Sequence, residues 1–342
     1  MMRILIFEVN WLGDVLFSTP AIKAIRKKYP DSHIAVLVVP RCRQILEHNP
    51  FINEIIIYDQ DGKHRTLAGK LEFINQLHRR HFDKAFIFHR SFTRALLIYL
   101  AGIPQRIGYS TKGRGFLLTE KIAVPGEKLH KVEYFLNMVR SAGIDTEAGF
   151  CEFYISDQDR AWALQILDKQ GIDKNDFIVI LNPGGNWGPK RWPLERFAEV
   201  GDRLVEQYKA RIIITGGLKD EQRAIQIAAL MKHRPISFCG MTDLNKLGAL
   251  LDRADMVISA DSGPMHIAVA RGTKVIGLFG PTSPRITGPY GRGNYTVLWK
   301  DIGCPVPCYD TSCTDNRCMK AITVEDVLKA VKTLNRKEHE RK

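Results

Sequence analysis

Short apolar runs alternate with amphipathic segments along most of this chain. The runs are rich in Ile, Val, Leu and Phe and predict buried strands, whereas the segments between them have helical periodicity. This alternation predicts an α/β fold built on doubly wound parallel sheets. Strands are expected at 3–9, 33–39, 54–59, 84–89, 177–182, 211–215, 256–260 and 274–279, and helices at 18–29, 65–80, 129–142, 157–170, 193–208, 221–232 and 243–253.

The series of runs breaks once, over residues 146–159, and then restarts. A chain of 342 residues also exceeds what one hydrophobic core usually supports. We therefore expect two Rossmann-like domains, residues 1–160 and 161–322. The C-terminal segment 323–342 is expected to form a helix that packs back on the first domain.

The formal charge of +13 indicates an acidic partner, such as nucleic acid, anionic lipid or a phosphorylated substrate. Aromatic and basic residues are not interleaved as in known RNA modules, so we expect no nucleic-acid partner. No run approaches the roughly 20 apolar residues of a spanning helix, and no signal-peptide pattern opens the sequence. We expect a cytoplasmic protein that at most rests on a membrane.

One predicted strand, 256–260, runs into the polar sequence Asp261-Ser262-Gly263, with His266 about one helical turn later. Ligands of open α/β sheets bind beside the carboxyl ends of the strands, where helix N-termini and bare amides converge. Gly263 would let a ligand approach the main chain, and Asp261 can accept hydrogen bonds from sugar hydroxyls. The pattern favours a nucleotide-sugar, although Asp261 or Ser262 is equally compatible with an ordinary helix cap.

The first loop of the second domain contains Gly184, Gly185, Lys190 and Arg191. Its glycines expose amides, and its basic side chains can bind phosphate, which are the parts of a diphosphate clamp. The alternative is a basic surface loop anchored by a buried Trp192.

The first loop of the chain places Gly13 and Asp14 where a strand gives way to a helix. The three-glycine dinucleotide fingerprint is absent, so a nicotinamide or flavin role has little support. A carboxylate at this position can take a proton from a bound hydroxyl. The alternative for Asp14 is a helix cap.

Four of the seven cysteines crowd into one Pro-rich segment. Four thiols suit tetrahedral zinc, but the usual C-x2-C knuckle is missing, and a disulfide pair is the alternative. We assign no metal to the chemistry. The candidate structural site consists of Cys304, Cys308, Cys313 and Cys318.

Seven motifs, taken in order, resemble glycosyltransferase family 9, the ADP-heptose:lipopolysaccharide heptosyltransferases. They are ILIFEVNWLGDVLFSTPAI, AGIPQRIGY, LHKVEYFLNMV, NPGGNWGPKRWP, TGGLKDE, ADSGPMHIAVA and GLFGPTSP. The resemblance covers nearly the whole chain. It implies a GT-B fold, with two Rossmann-like domains facing across a cleft, and metal-independent, inverting transfer of L-glycero-D-manno-heptose from ADP-heptose to the lipopolysaccharide inner core.

The resemblance also implies roles for single residues. Asp14 falls at the position of the general base, with Gly13 beside it on the acceptor side. Lys190 falls at the position of a diphosphate-binding lysine, Glu221 at that of an acid meeting the ribose, and Met241 near the adenine. The remaining donor positions, beside Gly184, Gly185, Ser262 and Gly263, are Asp261, His266 and Thr282.

Several basic side chains of the first domain fall near predicted strand ends or loops and would suit the carboxylates and phosphates of a Kdo-lipid A type acceptor. The alternative is scattered solubilising charge. These candidates are Arg90, Arg94, Arg106 and Lys112.

The resemblance implies no required cofactor, because ADP-heptose is itself the donor substrate. We expect a monomer that contacts the anionic inner leaflet of the inner membrane. Two alternatives remain open: a relative that uses another nucleotide-sugar or core acceptor, and a GT-B nucleotide-sugar epimerase.

Overall fold

A computed structural model describes residues 1–147, 149–185, 187–291 and 293–339, except for the side chains of 336–339. The chain divides into two compact units, Met1–Tyr154 and Ile155–Lys342. The division falls inside the segment 146–159, where the sequence pattern breaks, a few residues before the boundary expected at 160. We treat each unit separately below.

Unit 1 contains a wholly parallel sheet in the order β3-β2-β1-β4-β5-β6. Its strands are β1 (Arg3–Phe7), β2 (His33–Val38), β3 (Glu54–Ile57), β4 (Lys84–Ile87), β5 (Gln105–Tyr109) and β6 (Glu120–Ile122). Its helices are α1 (Leu12–Lys28), α2 (Arg43–Leu46), α3 (Leu67–His78), α4 (Phe92–Leu100) and α5 (Lys131–Ser141).

Unit 2 repeats this architecture with the order β9-β8-β7-β10-β11-β12, again parallel throughout. Its strands are β7 (Ile178–Asn182), β8 (Arg211–Ile214), β9 (Ile236–Ser237), β10 (Met256–Ala260), β11 (Lys274–Phe279) and β12 (Tyr295–Trp299). Its helices are α6 (Asp157–Lys169), α7 (Leu194–Tyr208), α8 (Glu221–Leu230), α9 (Leu244–Arg253), α10 (Gly263–Arg271), α11 (Pro284–Thr287), α12 (Arg317–Lys320) and α13 (Val324–His339).

Both sheets have the doubly wound Rossmann order, in which the winding direction reverses at a central pair of strands. The reversal lies between β1 and β4 in unit 1 and between β7 and β10 in unit 2. Crevices form outside the carboxyl ends of such strand pairs. The loops that follow β1, β4, β7 and β10 are therefore the positions where each unit would bind ligands.

Each sheet is held by its own apolar core. The strands are buried on both faces, as expected for parallel sheets covered by helices. Val327, Val331 and Leu334 of α13 belong to the core of unit 2, and the Trp192 indole donates a hydrogen bond to the Ile322 carbonyl at 2.9 Å. The sequence predicts that the C-terminal helix packs back on the first domain. In the structure, the apolar face of this helix, α13, is instead buried in the core of unit 2.

The predicted elements differ from the structure in identifiable places. Helix α1 begins at Leu12 and not at residue 18, and its N-cap Trp11 has no capping side chain to signal the start. The sequence pattern does not predict the strands β5, β6, β9 and β12 or the helices α2, α4, α10, α11 and α12. Strands β6 and β9 are too short for a visible alternation, and α10 is apolar on most of its faces.

Among the residues that the structure describes, no helix combines the length and the apolar character that a membrane span requires.

Candidate active site

The loops after β7 and β10 bring a lysine, an aspartate and a histidine together in unit 2. Lys190 Nζ lies 2.8 Å from Asp261 Oδ2, and His266 Nε2 lies 3.3 Å from Asp261 Oδ1. Asp261 and His266 are both buried, and the Lys190 ammonium also lies 5.1 Å from the centre of the Trp187 ring. The sequence placed these side chains in one site, and the structure joins them directly.

The electrostatics of this cluster keep Asp261 ionised. Burial alone would raise the pKa of its carboxyl, but the hydrogen bond from His266 and the positive charge of Lys190 outweigh burial, and the pKa lies well below its usual range. A buried carboxylate with a cation beside it forms a fixed, orientated charge pair. Such a pair can hold Lys190 in place for an incoming anion.

The glycine loop after β7 is braced by two charged side chains. The Arg191 guanidinium donates to the Gly185 carbonyl from Nε at 3.1 Å and from Nη2 at 2.9 Å. Arg191 therefore holds the loop in place, whereas the sequence suggested that it would bind phosphate. A Cβ on Gly184 would lie only 2.9 Å from Asp220 Oδ2, so this glycine permits a close approach of the carboxylate.

Asp220 is a buried residue of this site that the sequence analysis did not select. Its Oδ2 accepts a hydrogen bond from the Gly217 amide at 3.1 Å, while its Oδ1 has no hydrogen-bond partner among the described residues. It therefore braces the loop after β8 and approaches Gly184 of the loop after β7. Its position three residues after Gly217 is a capping signal that would have pointed to it.

Ser262 and Gly263 form the start of α10, at the carboxyl end of β10. Ser262 has extended backbone angles, but its side chain makes no capping hydrogen bond and instead lies 3.1 Å from the Ser259 hydroxyl. The ordinary capping role that the sequence left open is therefore not what the structure shows. The first amides of a helix have no partner within it, so the start of α10 offers donors to an anion.

Thr282 follows β11, the strand next to β10. The residue is buried, and its Oγ1 has no hydrogen-bond partner among the residues that the structure describes. A buried hydroxyl in this condition normally has a water or ligand partner. Thr282 is therefore available to a bound molecule at the same sheet edge as Asp261.

Glu221, the first residue of α8, lies against a tight turn at Gly240, and Met241 follows that glycine. Gly240 at this turn has φ +73, and a Cβ there would lie 2.5 Å from Glu221 Oε1. The Glu221 carboxylate thus rests against the backbone of the residue that precedes Met241. The Met241 side chain is exposed, as an apolar surface for a stacked ring would be.

In unit 1, Asp14 lies in the first turn of α1, immediately after Gly13. A carboxylate there interacts favourably with the helix dipole. The Lys131 ammonium, at the start of α5, lies 3.7 Å from Asp14 Oδ1. The Asp14 side chain is 22% exposed, so it remains accessible to a substrate hydroxyl.

A second carboxyl, Glu8, lies buried at the end of β1. Burial raises its pKa from 4.5 to about 8, against the lowering effects of Ser18 and the Val9 amide. The Ser18 hydroxyl is 2.7 Å from both Glu8 Oε1 and the Val15 carbonyl. A hydroxyl has one proton, so a protonated Glu8 can donate to Ser18 while Ser18 donates to Val15. The sequence analysis did not identify this group.

Two of the four predicted acceptor-binding cations already donate hydrogen bonds to oxygen atoms of the protein itself. Arg94 is buried, and its Nη2 donates to Asn10 Oδ1 at 2.7 Å and to Gln60 Oε1 at 2.6 Å. Arg106 donates to the carbonyls of Ile103 at 2.6 Å, Pro104 at 3.1 Å and Leu117 at 2.7 Å.

Arg90 and Lys112 are exposed, in the loops after β4 and β5. These two can therefore meet a ligand directly, whereas Arg94 positions the Asn10 segment that leads into α1.

The four clustered cysteines line one concavity of unit 2, together with Pro189 and Trp299. All of them are free thiols. Across the described ranges, no group of three or more His, Cys, Asp or Glu side chains is arranged to hold a metal ion. The structure therefore contains neither the preformed zinc ligand set nor the disulfide considered for Cys304, Cys308, Cys313 and Cys318.

Comparison with known proteins identifies the family of this chain. A model of glycosyltransferase family 9 (heptosyltransferase) matches residues 70–318. The chain is 25% identical over 301 residues to lipopolysaccharide heptosyltransferase 2 of Escherichia coli (strain K12), covering 84% of this chain and 85% of that protein.

Solved structures give the same result for the fold. A glycosyl transferase family 9 protein from Veillonella parvula DSM 2008 is 27% identical, has a TM-score of 0.88 and is matched over 97% of both chains. The Escherichia coli ADP-heptose LPS heptosyltransferase II is 23% identical, has a TM-score of 0.82 and covers 99% of this chain and 100% of that chain.

Two Rossmann-like units with these neighbours define a glycosyltransferase of the GT-B fold class. The family model matches more than half of the sequence. The chain belongs to glycosyltransferase family 9 (heptosyltransferase). The epimerase alternative is thereby overturned, because the family transfers glycosyl groups.

Proposed function

We propose that this protein transfers L-glycero-D-manno-heptose from ADP-heptose to the inner core of lipopolysaccharide, with inversion at the anomeric carbon. The observation that carries the proposal is the buried Lys190–Asp261–His266 cluster at the strand reversal of unit 2 in a family 9 chain. The name of the relative from Escherichia coli (strain K12), lipopolysaccharide heptosyltransferase 2, supports the heptosyl transfer and the lipopolysaccharide acceptor.

Unit 2 binds the donor in this proposal. Lys190 contacts the diphosphate, with the amides of Gly184 and Gly185 and the start of α10 as further donors. Asp261, His266 and Thr282, together with Ser262 and Gly263, hold the sugar and the phosphate next to it. Glu221 accepts hydrogen bonds from the ribose hydroxyls, and the exposed Met241 packs on the adenine.

Asp14 is the general base. The oxygen of an acceptor hydroxyl attacks the anomeric carbon, and its proton passes to the Asp14 carboxylate. The bond from that carbon to the β-phosphate oxygen breaks, and its electron pair leaves with ADP. Lys131, whose ammonium lies 3.7 Å from Asp14 Oδ1, restrains the carboxylate.

The departing diphosphate gains negative charge, which Lys190 and the helix-terminal amides stabilise. These groups are held before the donor arrives, because Asp261 fixes the ammonium and Arg191 fixes the glycine loop. We infer that the reaction requires no metal ion or other cofactor, since fixed cationic and amide groups occupy the role that a divalent ion would have.

The acceptor is an anionic sugar core, which suits the exposed cations Arg90 and Lys112 on loops that leave the same edge of the sheet as the Gly13 loop. Arg94 acts on this site through Asn10, in the loop that leads into α1, whereas Arg106 holds the segments that lead into β5 and β6. We further propose that the protein works as a monomer on the cytoplasmic side of the inner membrane, in peripheral contact with the anionic leaflet. Its formal charge of +13 favours such contact.

The direct test incubates the protein with ADP-heptose and heptose-deficient lipopolysaccharide and follows ADP release and product mass. The proposal expects stoichiometric ADP and one added heptose per acceptor. The alternative hypothesis is a family 9 enzyme that uses another nucleotide-sugar or core acceptor. It would release ADP only at the hydrolysis background with these substrates and would turn over with a different pair.

A further inference from the structure

The outer face of α4 in unit 1 exposes large apolar side chains to solvent. Positions 92, 96, 99 and 100 recur at helical spacing and so form one stripe along the helix, in which Leu96 is half-buried against the core of unit 1 and the other three are exposed. The ring of Phe116, which is 71% exposed, lies 5.9 Å from the ring of Phe92 and extends the stripe sideways. We call this surface the α4 face and define it as Phe92, Leu96, Tyr99, Leu100 and Phe116.

The segment of sequence that contains the α4 face carries positive charge only. Between Asp83 and Glu120 the sequence contains no acidic residue and has the basic residues Lys84, Arg90, Arg94, Arg106, Lys112 and Arg114. The exposed Arg90 and Lys112 lie shortly before Phe92 and Phe116 in sequence, and the Arg106 guanidinium lies 5.2 Å from the centre of the Tyr99 ring. The apolar stripe is thus flanked in sequence by cationic side chains and by no acidic ones.

An aromatic and aliphatic surface with a cationic rim matches an anionic lipid bilayer. Amphipathic rings settle at the level of the headgroups, aliphatic side chains enter the acyl boundary, and Lys and Arg attract anionic headgroups. A second copy of the chain would present an equally basic face in a two-fold contact, and like charges would oppose it.

We propose that the α4 face is the surface by which unit 1 docks on an anionic membrane. The inference rests on the proposed function to the extent that a lipopolysaccharide acceptor is itself held in such a membrane. It goes further by naming the side chains that enter the lipid. Phe116 and Leu100 are the principal side chains that enter the lipid, because they are the most exposed members of the α4 face, at 71% and 50%.

The test is co-sedimentation of the full chain with phosphatidylcholine vesicles, with and without phosphatidylglycerol. The wild type should bind the phosphatidylglycerol vesicles and release them as salt rises. The double variant Phe116→Ser/Leu100→Ser should bind at least about tenfold less tightly. Exposed substitutions such as these leave the fold intact, which circular dichroism and the unfolding temperature would verify.

Ile225→Ser is the matched control, since Ile225 is 61% exposed on α8 of unit 2. Its vesicle binding should equal that of the wild type. Equal binding by the double variant, or an equal loss in the control, would overturn the proposal. A dimeric wild type that becomes monomeric in the double variant would also overturn it, because the face would then be a protein interface.

The outcome is distinguishable from failure of the proposed function. Transfer to a delipidated core oligosaccharide needs no membrane, so the double variant should retain wild-type turnover on it. Lost vesicle binding with retained turnover supports the docking surface. Retained vesicle binding in a wild type that transfers no heptose would contradict the proposed function and leave the docking surface supported.

Discussion

Lys190 Nζ and Asp261 Oδ2 lie 2.8 Å apart at the edge where β7 and β10 end, and Asp261 is buried. The two residues come from different loops, 71 positions apart in sequence. The pair therefore links the glycine loop to the start of α10. An anion that binds Lys190 meets an ammonium whose position is already fixed.

Lys190→Ala is expected to weaken ADP binding. A charge-assisted hydrogen bond to phosphate contributes roughly 1.5–3 kcal/mol, which corresponds to a loss of about tenfold to a hundredfold in affinity. Isothermal titration calorimetry with ADP measures the effect. Lys246→Ala is the control, because Lys246 packs over Trp162 outside this site. An unchanged ADP affinity in Lys190→Ala would remove Lys190 from the donor site.

Gly240→Ala and Gly272→Ala separate backbone strain from nucleotide binding. Both glycines have positive φ, +73 and +85, so each substitution should cost about 1–2 kcal/mol of stability. A Cβ at 240 would also lie 2.5 Å from Glu221 Oε1 and displace that side chain, whereas nothing lies within 4 Å of one at 272.

Similar losses of stability are therefore expected by denaturant unfolding, but weaker ADP binding only in Gly240→Ala. Equal ADP affinities in the two variants would argue against contact between Glu221 and the ribose.

Glu8 gives stability a pH dependence. Its pKa rises from 4.5 in the unfolded chain to about 8 in the folded protein. The unfolded state therefore binds fewer protons between these values, and the free energy of unfolding falls as pH rises, by about 1.4 kcal/mol for each pH unit. Glu8→Gln should flatten this decline, because a neutral amide does not ionise.

Denaturant titrations between about pH 5 and pH 8 measure the slope. Glu147→Gln is the control, because Glu147 is an exposed carboxylate and its loss should leave the slope unchanged. A wild-type slope identical to that of Glu8→Gln would show that Glu8 ionises normally in the folded chain.

Chelation addresses the inference that no metal takes part. Dialysis against EDTA should leave heptosyl transfer unchanged, since Lys190 and the amides at the start of α10 carry the leaving-group charge. Turnover that EDTA abolishes and a single divalent ion restores would contradict this part of the mechanism.

The sequence predicted β10 and β11 with their observed bounds because each is an uninterrupted apolar run between polar residues. It also placed Lys190, Asp261 and His266 in one site, since parallel strands end at a common edge. The start of α1 was missed because Trp11 makes no side-chain cap. Short strands such as β9 are fixed by pairing with a neighbour, a contact that local sequence does not encode.

Basic residues show a second limit of prediction from sequence, which is whether a cation is exposed or buried. Sequence alone does not distinguish Arg94 and Arg106 from the exposed Arg90. The guanidinium groups of Arg94 and Arg106 nevertheless donate hydrogen bonds to amide and carbonyl oxygens of the protein. Burial of a cation depends on which acceptors the fold brings near it. The raised pKa of Glu8 has the same origin, because it depends on burial beneath α1 and not on a neighbouring residue in sequence.

The central claim of the proposed function is that Asp14 of unit 1 accepts the proton of the acceptor hydroxyl, while unit 2 binds the ADP-heptose donor. Its most direct test is the turnover of Asp14→Asn at saturating ADP-heptose and acceptor, measured with the ADP dissociation constant. We predict that kcat falls by about 10²–10⁴ while ADP affinity stays at the wild-type value. Turnover of Asp14→Asn at the wild-type rate would contradict the account.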